Sequence, residues 1–277
     1  MAIDYETEYD NRGRVPEHPE ILGRGARAAT EFRAAAQAAG HAELGVSYGP
    51  SARQIVDIFY PAQREGASVA VFIHGGYWRA LQPSAFSHLA GGLNARGVTL
   101  AMIGYDLAPQ VGICDIVDQV RNALLHLFRR FRQPMVVSGH SAGGHLTACM
   151  VATDWRALGA PEFLVPAGYA ISGLFDLDPM RHTAMNADFK LDELEARRLS
   201  PLLWPAPRGR VLDAVVGGDE SADFIRQSRT IADTWGQSGV TTRFEAIANQ
   251  NHFTIIEPLA DPGSAMVQRL MTLIQNQ

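Results

Sequence analysis

From residue 52 onward, short apolar runs alternate with longer segments of helical spacing. Arg53–Tyr60 is rich in β-branched and aromatic residues and stops at Pro61, as an extended strand would. Ser68–Ile73 and Val98–Ile103 are near-continuous apolar runs, which predicts strands buried on both faces. Between them Pro83–Ala95 has the length of a helix and halts before Gly97. Cys114–Phe131 places Ile116, Val117, Val120, Leu124, Leu127 and Phe128 along one helical stripe. Met135–Ser138 then reads as a strand and Ala142–Thr153 as a helix. The second half repeats the pattern, with strands at Gly168–Ile171, Val211–Val216 and Thr242–Ile247 and helices at Leu191–Leu199, Ser221–Trp235 and Ala265–Gln275. Such alternation predicts right-handed βαβ crossovers and an α/β fold, a mostly parallel central sheet with helices on both faces.

No linker is long or polar enough to divide the chain, so residues 1–277 are expected to form one domain. Within it, residues 172–205 read as a small cap or insertion, and residues 1–50 as an N-terminal extension. The Ala-rich stretch Glu31–Ala39 predicts a helix stopped by Gly40. Its plain reading is a cover over part of the core. The alternative is a segment that shapes the entrance to an active site.

Composition narrows the field of functions. Hydrophobic residues make up 47% of the chain and charged residues 19%, enough apolar side chain for a sizeable core. The formal net charge of -5 argues against a nucleic-acid binder, which needs a basic face. No apolar run of membrane-spanning length occurs, and the polar, acidic opening MAIDYETEYD is unlike a signal peptide. Cys114 and Cys149 are too few for a disulfide framework. The expectation is a cytoplasmic protein that stays off the membrane.

The sharpest chemical signal is Gly139-His140-Ser141-Ala142-Gly143, a G-x-S-x-G pattern set between a strand and a helix. In a nucleophile elbow the serine sits on a strained turn, and small flanking residues avoid collision with neighbouring backbone. His74-Gly75-Gly76-Tyr77-Trp78 follows the buried strand SVAVFI. A glycine pair there lets amides turn toward a cavity, so Gly75 and Gly76, with the amide of Ala142, form a candidate oxyanion hole. His74 itself reads as structural, because it precedes the elbow.

A serine nucleophile needs a base, and the base an orienting carboxylate, in chain order serine, acid, histidine. Of the later histidines, His145 lies on the elbow helix and His182 in the cap region, whereas His252 follows a strand in a polar loop. His252 is therefore the expected base. For the acid, Asp219 on the loop after Val211–Val216 is the first choice. Glu220 and Asp223 stay open, since loop register is not readable to one residue, and Asp213 inside the strand is disfavoured. No metal-ligand spacing, phosphate loop or dinucleotide fingerprint occurs, so no metal and no cofactor are expected.

Together HGGYWR, GHSAGGHL, GGDES and NHFTIIE resemble the α/β-hydrolase superfamily, and within it the arylformamidase (kynurenine formamidase) branch and its bacterial relatives. Ser172–Leu177, Leu199–Leu202 and Tyr9-Asp10-Asn11-Arg12 carry the resemblance through most of the chain. It implies Ser141 as nucleophile, Asp219 as orienter and His252 as base. The implied reaction is hydrolysis of N-formyl-L-kynurenine to kynurenine and formate through an acyl-enzyme. Tyr77 and Trp78 stand where an aryl ring could lie, and Tyr105, Phe175, Trp204 and Phe253 are candidates for the rest of the pocket. The other readings are a short-chain carboxylesterase or small amide or carbamate hydrolase, and a non-catalytic small-ligand binder on the same fold. The expected partner is a small ester or amide, and analogy with such hydrolases suggests a homodimer.

Overall fold

The computed structural model describes residues 3–277. Its N-terminal segment contributes three helices, α1 (Tyr5–Tyr9), α2 (Asn11–Arg14) and α3 (His18–Ala38). Strands β1 (Ala42–Ser47), β2 (Ile55–Phe59) and β3 (Val69–Ile73) follow, then a 3-10 turn at Pro83–Leu89 that runs into α4 (Ala90–Asn94). Next come β4 (Thr99–Ile103), α5 (Ile113–Phe131), β5 (Val136–His140), α6 (Ala142–Val151) and β6 (Ala167–Ile171). The segment after β6 holds two short helices, α7 (Asn186–Phe189) and α8 (Glu193–Arg198), flanked by 3-10 turns. The chain closes with β7 (Val211–Gly217), α9 (Ala222–Gln237), β8 (Thr241–Ile247) and α10 (Ala265–Gln275).

All eight strands form one sheet in the order β1-β2-β4-β3-β5-β6-β7-β8. The pairs β1–β2 and β2–β4 are antiparallel and every other pair is parallel. Every residue of β3, β4, β5 and β6 is buried, which is why these runs are continuously apolar rather than alternating. The side-chain period of two still operates, because it sorts residues between two cores. Val69, Val71 and Ile73 of β3 pack with Leu124 of α5 and Leu146 of α6 in one core. Ala70 and Phe72 pack with Leu93 of α4 and Leu270 of α10 in the other. At the sheet edge β8 alternates between exposed and half-buried positions.

Three elements depart from the sequence expectation, the first being Pro83–Ala95, which forms a 3-10 turn and a five-residue helix rather than one helix. The N-terminal helix begins at His18 rather than Glu31, initiated by Pro19 in its first turn, and it tolerates Gly23 and Gly25. The edge strand β1 lies beyond the pattern recognised in the sequence, because it carries the half-buried Glu43 and the exposed Gly45. Among the described residues no helix is long and apolar enough to cross a membrane.

The parallel register aligns the strand ends that matter. Ile73 pairs with Gly139, His140 with Ile171, Ile171 with Val215, and Gly217 with Ile247. The loops after β3, β5, β6, β7 and β8 therefore all emerge at one rim, where open α/β sheets gather ligand-contacting loops.

Candidate active site

At the end of β5 the chain reverses into α6 through Ser141, whose φ of 57° and ψ of -117° are strained for a residue with a side chain. The turn is held by the Ser141 amide donating to the Ile171 carbonyl at 2.8 Å. Close approach of α6 to β3 demands glycine at 143, where a Cβ would stand 2.0 Å from the Ile73 carbonyl oxygen. The loop after β3 presses on the same turn. A Cβ at Gly75 would lie 2.7 Å from the His140 carbonyl oxygen and 2.9 Å from Ser141 Cβ. Past Gly75 the backbone runs through positive φ at Gly76, Tyr77 and Trp78. The amides of Gly75, Gly76 and Ala142 meet no protein acceptor among the described residues, so they remain available as donors.

His252 sits in the loop after β8 and is almost fully buried. Its Nδ1 lies 2.6 Å from Glu220 Oε2. The other oxygen of Glu220 accepts from the Ser172 hydroxyl at 2.5 Å and from the Gly217 amide at 2.7 Å. The carboxylate side chain is fully buried, and these three donors satisfy it. The expected acid at Asp219 is corrected here. In the tight turn closed by the Glu220 amide on the Gly217 carbonyl, Asp219 faces solvent while its amide is held by the Gln250 carbonyl. Side chain 220 is the one that swings under the imidazole. Asp223 is engaged elsewhere, accepting from the Tyr9 phenol and from Arg226 Nε at 2.6 Å. Asp213 is paired with Arg269 at 2.6 and 3.0 Å.

Burial holds His74, His145 and His140 as neutral, structural groups. His74 Nδ1 donates to the Gly75 carbonyl at 2.8 Å and its ring stacks on Tyr105 with centroids 4.3 Å apart. Burial pushes its pKa down to about 4. His145 Nε2 donates to the Leu199 carbonyl at 2.8 Å, and burial likewise takes it down to about 4. His140, fully enclosed and 4.6 Å from the His252 ring, is held well below the ordinary value by burial and then by His252. His182 lies on the segment after β6, stacked on Tyr5.

Ser141, His140 and His252 share the wall of one cavity of about 780 Å³. Of the six aromatic residues expected around the substrate, Tyr77 and Phe253 line it. The other four do not. Consecutive positive-φ residues send Tyr77 toward the cavity and Trp78 into the core, edge-on to His145 and Phe189. Tyr105 is buried, its hydroxyl donating to the His74 carbonyl at 2.8 Å. Phe175 is buried with its amide on Gln227, and Trp204 turns its indole N–H to the Arg198 carbonyl at 2.8 Å.

The N-terminal segment supplies wall residues that sequence reasoning left out, among them Tyr9, Asn11 and Arg12. Tyr77 ties this segment down, its hydroxyl donating to the Tyr9 carbonyl at 2.8 Å and accepting from Asn11 Nδ2 at 3.0 Å. The signal in the sequence was the short polar motif YDNR itself. The extension thus shapes the entrance rather than merely covering the core. Among the described residues no group of three or more His, Cys, Asp or Glu side chains is placed to hold a metal ion.

Comparison with known proteins agrees with this geometry. Residues 70–256 match a family model described as an alpha/beta hydrolase fold. Over 221 residues the chain is 31% identical to a kynurenine formamidase of Drosophila melanogaster, covering 75% of this chain and 74% of that one. Over 240 residues it is 28% identical to a kynurenine formamidase of Danio rerio, covering 83% and 81%. A crystal structure from Silicibacter sp. TM1040, described as a candidate thioesterase, superposes with a TM-score of 0.83 at 34% identity, covering 98% of this chain and all of that one.

Proposed function

Since the chain belongs to the alpha/beta hydrolase fold family, we propose that it is a serine hydrolase with arylformamidase-like activity, cleaving N-formyl-L-kynurenine to kynurenine and formate. The observation that carries the mechanism is the buried Glu220–His252 pair on the same rim as the strained Ser141. Ser141 is the nucleophile and His252 the base. Glu220 takes the orienting role first assigned to Asp219, accepting the Nδ1 proton so that Nε2 is the free, basic nitrogen.

In this reading the Ser141 hydroxyl attacks the formyl carbonyl carbon while His252 Nε2 takes its proton. Negative charge gathers on the carbonyl oxygen, where the amides of Gly75, Gly76 and Ala142 receive it. The amide at the N-terminus of α6 adds the favourable end of the helix dipole. Collapse of the tetrahedral species breaks the C–N bond as His252 returns the proton to the departing arylamine. Water, deprotonated by His252, then attacks the formyl ester on Ser141 and releases formate. In the described structure the Ser141 hydroxyl faces the cavity without a hydrogen bond to the imidazole among the described residues, a contact that commonly tightens only with substrate bound.

A second reading is favoured by the likeness to the candidate thioesterase, in which the same machinery cleaves a thioester or short ester. Comparing kcat/KM for N-formyl-L-kynurenine with that for p-nitrophenyl acetate separates the two. Substantial turnover of the formamide supports the first reading, and turnover of the ester alone removes it. A non-catalytic ligand binder would leave Ser141 unlabelled by a fluorophosphonate.

A further inference from the structure

The charged groups at the cavity wall are not all neutralised by one another. Arg79, just after the glycine pair, donates to Asp188 on the segment after β6 at 2.8 Å and is thereby paired. Arg12 also lines the cavity, yet it makes no hydrogen bond or ion pair among the described residues. An arginine cannot shed its charge at working pH, so Arg12 presents a standing cation to whatever enters. Two carboxylates of the same N-terminal segment, Glu6 and Asp10, also line the cavity. Glu6 accepts from the Ala184 amide at 2.7 Å and Asp10 from the Gly13 amide at 2.9 Å. Both meet neutral backbone donors rather than a cation.

The backbone that carries Arg12 is held in place. Asp10 caps α2 two residues before it, and its neighbour Asn11 is fixed to Tyr77 on the oxyanion loop. Its Cα is therefore registered to the same loop that faces Ser141. An unpaired guanidinium carried on a fixed backbone suits a carboxylate, which it meets through parallel N–H donors. An uncharged ester would leave both signs of charge without use.

We propose that this end of the cavity grips the zwitterionic head of an α-amino acid substrate, Arg12 pairing its carboxylate while Glu6 and Asp10 face its ammonium. The inference deepens the arylformamidase reading and rests on it for the identity of the bond cleaved. It makes Arg12 a specificity-determining residue and leaves the acyl-transfer chemistry to Ser141 and His252.

The test uses two matched pairs of substrates on the full-length protein. One pair is N-formyl-L-kynurenine and formanilide, and the other is O-acetyl-L-tyrosine and phenyl acetate. In each pair only the first carries the amino-acid head. Arg12→Gln is expected to lower the ratio of kcat/KM for the head-bearing over the head-free member about tenfold, chiefly through KM, as loss of one exposed charge-assisted contact should. Arg12→Lys is expected to recover part of that ratio. A ratio unchanged in Arg12→Gln, whether activity is kept or lost equally on both members, overturns the inference. If the wild type cleaves neither formamide while the acetate ratio still depends on Arg12, the formamidase reading falls and head recognition stands. If formamide turnover is robust but neither ratio moves, the converse holds.

Discussion

Ser141, Glu220 and Asp219 show how much depends on single residues. A carboxylate one position away from another in a tight turn points to the opposite side, and only Glu220 reaches His252. Glu220→Gln is therefore expected to lower kcat/KM by about a hundredfold to ten-thousandfold, because the amide can hold the ring in the wrong tautomer and cannot stabilise the imidazolium. Asp219→Asn, on an exposed side chain, is expected to change kcat/KM by less than about twofold. Steady-state assays of the two variants check both. This one-residue register was not legible in the sequence. GGDE is compatible with either acid until the Glu220–Gly217 hydrogen bond and the packing of β7 against the His252 loop choose between them. The turn at Ser141 was legible because it imposes a backbone requirement, with small residues on both sides, written in five consecutive letters. Trp78 was misread because neighbouring residues in a positive-φ turn diverge, and periodicity carries no information about that divergence.

Among the elements, the central strands were the most legible. Burial on both faces imposes a continuous apolar run, and β3 and β4 differ from their expected bounds by one residue at the start. The N-terminal helices were legible only in part, since α1 and α2 are four or five residues long and take their positions from tertiary contacts rather than propensity. The chief contact is Tyr9. Its phenol donates to the Asp223 carboxylate and accepts from Gln227 Nε2 at 2.6 Å, while its carbonyl accepts from Tyr77. Burial, reinforced by the charge of Asp223, holds the phenol protonated far into the alkaline range, so it stays a donor. Tyr9→Phe is expected to destabilise the fold by about 1–3 kcal/mol, since it leaves buried Asp223 short of a donor. Urea unfolding followed by tryptophan fluorescence measures this. For α6, Gly143→Ala is expected to cost about 3 kcal/mol or more, because backbone rather than a flexible side chain blocks the new methyl group. A soluble variant of unchanged urea midpoint would contradict the close packing of the elbow helix on β3.

For the whole molecule, pH couples to stability through histidines buried without charge. His74 and His145 have an ordinary value of 6.5 and are depressed to about 4 in the fold. Between those limits the unfolded chain binds protons that the folded chain refuses. Stability from these two groups is therefore fully present above about pH 6.5 and is lost as the pH falls toward 4. Each is expected to remove about 2 kcal/mol by pH 5, an order-of-magnitude figure from the linkage relation. Urea midpoints at pH 7.5, 6 and 5 should fall in that order, and a flat series would show that these imidazoles are not enclosed as described. The α/β layering was legible from the alternation alone. What the alternation could not convey is that α1 and α2 contribute Tyr9, Asn11 and Arg12 to the cavity wall.

The central claim is that Ser141, His252 and Glu220 act as one unit at the sheet rim. Covalent labelling by a fluorophosphonate, with the adduct mapped by mass spectrometry and its rate followed in variants, tests this most directly. The expected result is a single adduct on Ser141, abolished in Ser141→Ala, strongly slowed in His252→Ala and Glu220→Gln, and unaltered in Asp219→Asn. Labelling that slows in Asp219→Asn but not in Glu220→Gln, or that proceeds at full rate without His252, would contradict it.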